Sequence, residues 1–179
     1  ISGNTDAQAA RTPMIQSQLL GGNEENTAAS KTTKDLFKFH TLNHGTACNM
    51  DYKISIANLR EPADIDNEEQ YSTFSVLVRK FGDTDKNPVI LEQFNGLSLD
   101  PDAPNYIARK IGDRYPQYND TLGKVEMLGN YPNISNFIRV EVNAAVEGKS
   151  TSPKLSPRGF AAVINPIATA SLTNNCTFP

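Results

Sequence analysis

The sequence contains no tryptophan, only two histidines and only two cysteines. No signal peptide is visible in it, and no apolar run approaches the ~20 residues that a transmembrane helix needs. Basic and acidic residues nearly balance, at a formal net charge of −3. General nucleic-acid and membrane-surface binders need a basic patch, and no such patch stands out. We therefore expect no nucleic-acid partner and no membrane insertion. The distant pair Cys48 and Cys176 neither requires nor excludes a disulfide.

Motifs that mark catalysis or cofactor binding are missing as well. A Ser-His-Asp or Cys-His arrangement must use His40 or His44. Neither histidine is accompanied by the strand-to-helix elbow that presents a nucleophile. The eleven glycines never form GxGxxG or GxxxxGK, the loops that cradle phosphates. The sequence therefore predicts no enzyme, no catalytic residue and no cofactor.

One group of residues has the spacing of zinc ligands. His40, His44 and Cys48 are four residues apart, which would place them on one side of a helix. However, His40 lies in an alternating pattern typical of a strand, and Gly45 interrupts the segment. We therefore expect these side chains to diverge and to bind no metal.

A second group resembles the start of a calcium loop. Asp83, Asp85 and Asn87 match its first three ligand positions. Pro88 then occupies the position that needs glycine, and Phe94 the position of the bidentate glutamate. We interpret the segment as a turn, in which Asp and Asn bond their own backbone. A separate acidic run is interpreted as a solvated loop rather than a cation site, and comprises Asp64, Asp66, Glu68 and Glu69.

Alternation of apolar and polar residues predicts several strands. They cover residues 36–42, 52–57, 74–79, 89–94 and 136–146, with a loop at 43–51 and loop-rich sequence at 114–133. A short helix is predicted after Asp102, its expected N-cap, with Pro104 in the first turn and Gly112 just past the end. The fold class is thus α+β and β-rich, with sandwich-like antiparallel or mixed sheets flanked by one or a few short helices.

The same patterns divide the chain into three parts. Residues 1–34 are polar and are predicted to form an arm or loop, in which residues 12–20 could dock as a short strand or helical turn. Residues 35–146 form the β-rich core domain. Residues 147–179 begin as a linker, and the apolar stretch 160–172 is expected to pack on the core or on a neighbour.

The order of the strands and of several short motifs resembles contractile tail sheath proteins of long-tailed bacteriophages. The matching stretch spans residues 36–113 and runs LFKFHTL, GTACN, YKISIANL and FSVLVRKF, then VILEQFNGLSLDPDAPNYIARKIGD. It matches a strand, G-x-x-x-N, two strands, E-x-F-x-x-L-S and a helix containing N-Y. The residues at the motif positions are Gly45, Asn49, Glu92, Phe94, Leu97, Ser98, Asn105, Tyr106 and Ile107. Ala47-Cys48 stands where the family often has Trp-Gly.

The resemblance implies a structural protein without bond chemistry. Sheath subunits assemble as stacked six-membered rings around the tail tube, and contraction of the lattice drives the tube into the host envelope. The implied partners are other copies of the chain, the tail tube and the baseplate, in a virion assembled in the host cytoplasm. The chain is then expected to be an internal fragment of such a protein, with Glu92, Phe94, Asn105 and Tyr106 in structural roles.

An alternative is a carbohydrate- or host-binding β-sandwich module of a fibre or adhesin. Such a module would share the alternating strands, the polar loops and the low charge, because one fold hosts many functions. It would also expose a patch of aromatic side chains on a sheet face or loop rim.

Overall fold

The computed structural model describes residues 9–18, 33–62 and 70–160 of the chain. Within these ranges it contains nine strands and three short helices, so the predicted β-rich α+β class is confirmed. The strands are β1 Ile15–Ser17, β2 Asp35–Thr41, β3 Tyr52–Arg60, β4 Thr73–Lys80, β5 Ile90–Ser98, β6 Tyr115–Asn119, β7 Lys124–Leu128, β8 Ile138–Val142 and β9 Pro157–Phe160. The helices are α1 Gly45–Asp51, α2 Ile107–Ile111 and α3 Ala144–Glu147.

The strands form two main sheets and one separate hairpin. The first sheet has the order β8-β2-β1-β9, and the second has the order β3-β4-β5. β6 and β7 pair only with each other among the described strands. Every pair of these named strands is antiparallel.

The two main sheets share one hydrophobic core. Phe37 of β2 stacks on Phe74 of β4, with ring centroids 5.7 Å apart and 8° between the ring planes. The alternating residues Val76 and Val78 of β4 are fully buried, as the period of two predicts. Ile107 of α2 is also fully buried, and α2 contacts β5 and β8. The helix therefore packs beside strands of both sheets.

One predicted loop is a helix. Residues 45–51 lie in the predicted loop 43–51, in which Gly45 was expected to interrupt regular structure, but they form α1. Gly45 occupies the first helical position, where its amide needs no helical partner. Cys48, one turn later, is buried in the core. Tertiary packing thus stabilises a two-turn helix that the sequence pattern does not mark.

The second helix begins later than predicted. α2 starts at Ile107, so Asp102 is not its N-cap and Pro104 is not in its first turn. Asp100 accepts a hydrogen bond from the amide of Asp102 and so stabilises a turn there. The end of α2 is as predicted, since Gly112 follows it with φ +108°.

The later part of the chain holds two further differences. The predicted loop at 114–133 contains the hairpin β6–β7, and the predicted strand 136–146 ends at Val142. Residues 144–147 form α3 instead, because Asn143 caps that helix through its side-chain oxygen, 2.9 Å from the amide of Ala145.

The four-stranded sheet combines strands from all three predicted parts of the chain. β1 comes from the predicted arm and confirms that a short strand docks within residues 12–20. β9 comes from the predicted linker, and β2 and β8 come from the predicted core. The division at residues 34 and 146 stays a prediction. The acidic run at 64–69, Cys176 and the stretch 161–172 lie outside the described residues.

Candidate functional site

Glu92 connects the second sheet to the segment that precedes β8, a strand of the first sheet. It lies on β5, and its carboxylate accepts hydrogen bonds from the Ser135 hydroxyl at 2.6 Å and from the main-chain amide of Asn136 at 3.0 Å. The side-chain amide of Asn136 donates a third bond at 2.9 Å. Ser135 is buried and its hydroxyl oxygen also accepts from the amide of Ile138, the first residue of β8. A single carboxylate therefore organises the segment that leads into β8.

Asn105 holds the connection between β5 and α2. Its side-chain amide donates to the carbonyl of Gly96 at 2.7 Å. The main-chain carbonyl of Asn105 accepts a hydrogen bond from the main-chain amide of Ser98 at 3.0 Å. Gly96 has φ +62°, a left-handed conformation that favours glycine. The segment 99–105 is thus tied back onto the end of β5.

Tyr106 and Phe94 contribute packing to the same region. Tyr106 is buried, and its ring meets the ring of Tyr131 edge-on at 6.0 Å. Burial raises the pKa of the Tyr106 hydroxyl, which has no hydrogen-bond partner in the described structure. Phe94 is partly buried and packs against the core. Tyr106 and Phe94 therefore contribute to the packing of this region.

The aspartates of the calcium-like sequence bind basic side chains. Arg79 donates two hydrogen bonds of 2.9 Å to the carboxylate of Asp83 and one of 2.9 Å to Asp85. The ammonium of Lys53 lies 2.7 Å from the Asp83 carboxylate, which is completely buried. The amide of Val89 donates to the same carboxylate at 2.7 Å. The carboxylate that would begin a calcium loop is therefore already surrounded by donors, and it closes the turn between β4 and β5.

The zinc-like residues lie on different elements. His40 is on β2, and its Nε2 lies 2.7 Å from the Glu141 carboxylate on β8. Burial and the nearby Arg139 lower the pKa of His40 against the opposing effect of Glu141. His44 precedes α1 and Cys48 is buried within it as a free thiol. Among the described residues, no three His, Cys, Asp or Glu side chains come together as a metal site.

The hairpin β6–β7 exposes an apolar face. Tyr118 pairs with Val125, and Pro116 pairs with Met127, so these four side chains share one face of the hairpin. Tyr118, Val125 and Met127 are 58%, 63% and 61% exposed. The sequence patterns predicted loop-rich sequence at 114–133 and missed both strands of this hairpin. The available signal was the alternation of Pro116 with Tyr118 before a turn containing Gly123.

A second exposed apolar surface is a groove of about 450 Å³ between the two main sheets. We call it the edge groove, because β3 and β9, the strands on its two sides, are each the last strand of their sheet. Its lining includes Phe39 of β2, Ile54, Ile56 and Leu59 of β3, and Phe160 of β9.

Comparisons with protein-family models, with curated proteins and with solved structures found no match to this chain. No described helix has the length and apolar character needed to span a membrane.

Proposed function

We propose that this chain is a structural part of a contractile tail sheath, polymerising around a tail tube in a virion and contributing no catalysis. The proposal is supported by the resemblance over residues 36–113 and by the roles of the matching residues. The observation that carries it is that these residues hold elements together. Glu92 ties β5 to the start of β8, and Asn105 ties the approach to α2 back onto β5.

Such a junction suits a domain that moves as one body. A contracting lattice stores energy in two alternative packings of rigid units, so each unit must keep its internal contacts while its external contacts change. The shared core and the Glu92 junction link the two main sheets through both apolar and hydrogen-bonded contacts.

Assembly into a lattice also needs surfaces for other copies. The apolar face of the hairpin β6–β7 is available for such a contact, as defined by Pro116, Tyr118, Val125 and Met127. Contacts between unlike surfaces of identical chains build open helical lattices when they do not close into a ring. We propose that this face contributes to contacts between subunits.

Negative-stain electron microscopy of the purified chain, and of a longer polypeptide containing it, tests the proposal. We expect rings or tubes of the longer polypeptide, and Val125→Asp on the hairpin face should weaken their formation. Ile134→Asp is the matched control, because Ile134 is also exposed but lies outside the hairpin. Single particles that persist at high concentration would refute the sheath proposal. Binding in a glycan array would then favour the carbohydrate-binding alternative.

A further inference from the structure

One asparagine of β5 is followed directly by glycine. Asn95-Gly96 is the only Asn-Gly pair in the sequence. In such a pair the main-chain nitrogen of the glycine can attack the side-chain carbonyl carbon of the asparagine, because glycine has no Cβ to obstruct the approach. The reaction is intramolecular and needs no enzyme. Whether the folded chain permits it depends on how tightly the sheet holds the pair.

The pair lies in a β-bulge of the second sheet. The register between β4 and β5 shifts by one residue at this point, so that Ser75 alone lies opposite both Asn95 and Gly96. A bulge disrupts the ladder of hydrogen bonds locally. β5 is also the last strand of its sheet among the described strands. The strand pairing therefore restrains this pair less than it restrains the residues on either side.

The reacting atoms are open to solvent. Asn95 and Gly96 are both exposed. Gly96 has φ +62°, and a methyl group added to it would meet no atom within 4 Å beyond its two chain neighbours. The side-chain oxygen of Asn95 accepts a hydrogen bond from the side-chain amide of Gln93 at 2.8 Å, which polarises the carbonyl carbon that is attacked. Among the described residues, no hydrogen bond holds the side-chain nitrogen of Asn95, which is the leaving group.

We propose that Asn95 deamidates spontaneously in the folded protein. The main-chain nitrogen of Gly96 loses its proton to hydroxide and forms a bond to the side-chain carbonyl carbon of Asn95. The side-chain nitrogen takes up a proton and leaves as ammonia, so that a cyclic succinimide remains. Water then opens the ring at one of its two carbonyl carbons. Attack at the side-chain carbon gives aspartate, and attack at the main-chain carbon gives isoaspartate.

The isoaspartate product changes the backbone where the approach to α2 is held. It adds one methylene group to the main chain immediately before Gly96, whose carbonyl accepts the 2.7 Å hydrogen bond from the side chain of Asn105. Leu97, the next residue, is fully buried in the core. The displacement therefore falls on Gly96 and on its bond to Asn105. Isoaspartate thus loosens the segment 99–105, whereas aspartate leaves the main chain unchanged.

Mass spectrometry of the aged full chain tests the reaction. The folded protein is kept at neutral and at mildly alkaline pH and is then digested with trypsin, which releases residues 87–109. We expect deamidation to accumulate faster at Asn95 than at Asn105, and faster at the higher pH because the attacking nitrogen must lose its proton. Asn95→Gln is the control, and its longer side chain, which must close a larger ring, should stop the accumulation. An Asn95 that stays intact in the folded chain but deamidates in urea would overturn the proposal.

Thermal unfolding of the aged protein tests the consequence for the fold. Ion exchange separates the deamidated chains by their added negative charge, and enzymatic methylation of isoaspartate identifies that product. We expect a lower unfolding midpoint for the isoaspartate product, close to that of Asn105→Ala. Asn95→Asp carries the same charge on an unchanged main chain and should unfold near the midpoint of the natural chain. Equal midpoints for the isoaspartate product and Asn95→Asp would refute the loosening of the segment 99–105.

Discussion

Phe37 and Phe74 stack across the two main sheets, with 8° between their ring planes and both side chains buried. The two residues belong to β2 and β4, which lie in different sheets. This contact links the two sheets within the shared core. Its removal should therefore affect the whole described fold rather than one strand.

Phe74→Ala should lower the free energy of unfolding by about 3–5 kcal/mol, because it removes a buried aromatic ring and leaves a cavity. Chemical denaturation with urea measures the change. Phe81→Ala is the control, since Phe81 is exposed at the end of β4, and its effect should stay within about 0.5 kcal/mol. Equal effects of the two substitutions would contradict the core described above.

Glu92→Ala should cost about 1–3 kcal/mol of stability, because the buried Ser135 hydroxyl and the Asn136 amide lose their acceptor. Glu92→Gln keeps one side-chain acceptor and should cost less. Gln93→Ala, at the neighbouring exposed position on β5, serves as the control. Urea denaturation of the three variants would disprove the role of Glu92 if Gln93→Ala were as harmful as Glu92→Ala.

Gly112→Ala should destabilise the fold by more than about 1 kcal/mol, because the native backbone there has φ +108°. A methyl group would also collide with Asn133 and with the carbonyl oxygen of Pro132, which lies 2.8 Å from its position. Gly82→Ala is the matched control, since no atom beyond its two chain neighbours lies within 4 Å of the added methyl group. Thermal unfolding compares the two, and a similar midpoint for both would contradict this close packing.

Asp83 should make stability depend on acid pH. Hydrogen bonds from Arg79, and further donors at Lys53 and Val89, hold the pKa of the Asp83 carboxyl well below its usual range. The folded-state pKa is thus lower than the unfolded-state value of about 4. The stabilisation by Asp83 is present above that unfolded-state value and is lost as the pH falls through the folded-state pKa.

Denaturation of Asp83→Asn between neutral and acid pH tests this prediction. The variant should be less stable than the natural chain at neutral pH, because Arg79 loses a buried charged partner. The difference should shrink as the pH falls below about 4, since the Asp83 carboxyl of the unfolded natural chain then takes up a proton while that of the folded chain stays ionised. A difference that stays constant over this range would contradict the low pKa.

Several elements could be predicted because their cause is local. The alternation in β2 and β4 follows from one buried and one less buried face, so a period of two marks each strand. Gly112 could be placed just past a helix because a positive φ favours glycine at that position. The turn between β4 and β5 was also predicted from its Asp and Asn residues.

Other elements depend on contacts between distant residues. α1 has no side-chain cap, and the packing of Cys48 in the core accompanies it. Glu92 and Ser135 are 43 positions apart, so no local sequence pattern predicts the hydrogen bond between them. Lys53 of β3 binds Asp83, the aspartate that local spacing assigned to the start of a calcium loop. The spacing of residues along the sequence does not show which side chain of another strand will contact them.

The sequence by itself determined the β-rich class, most strand positions and the absence of recognised catalytic motifs, because hydrophobic period and turn chemistry act over a few residues. Only the tertiary structure decided that β1 and β9 join the same sheet as β2 and β8, and that Glu92 ties β5 to the start of β8. It also decided that the hairpin face and the edge groove are exposed. Those features depend on which surfaces bury one another, and burial is a property of the assembled chain.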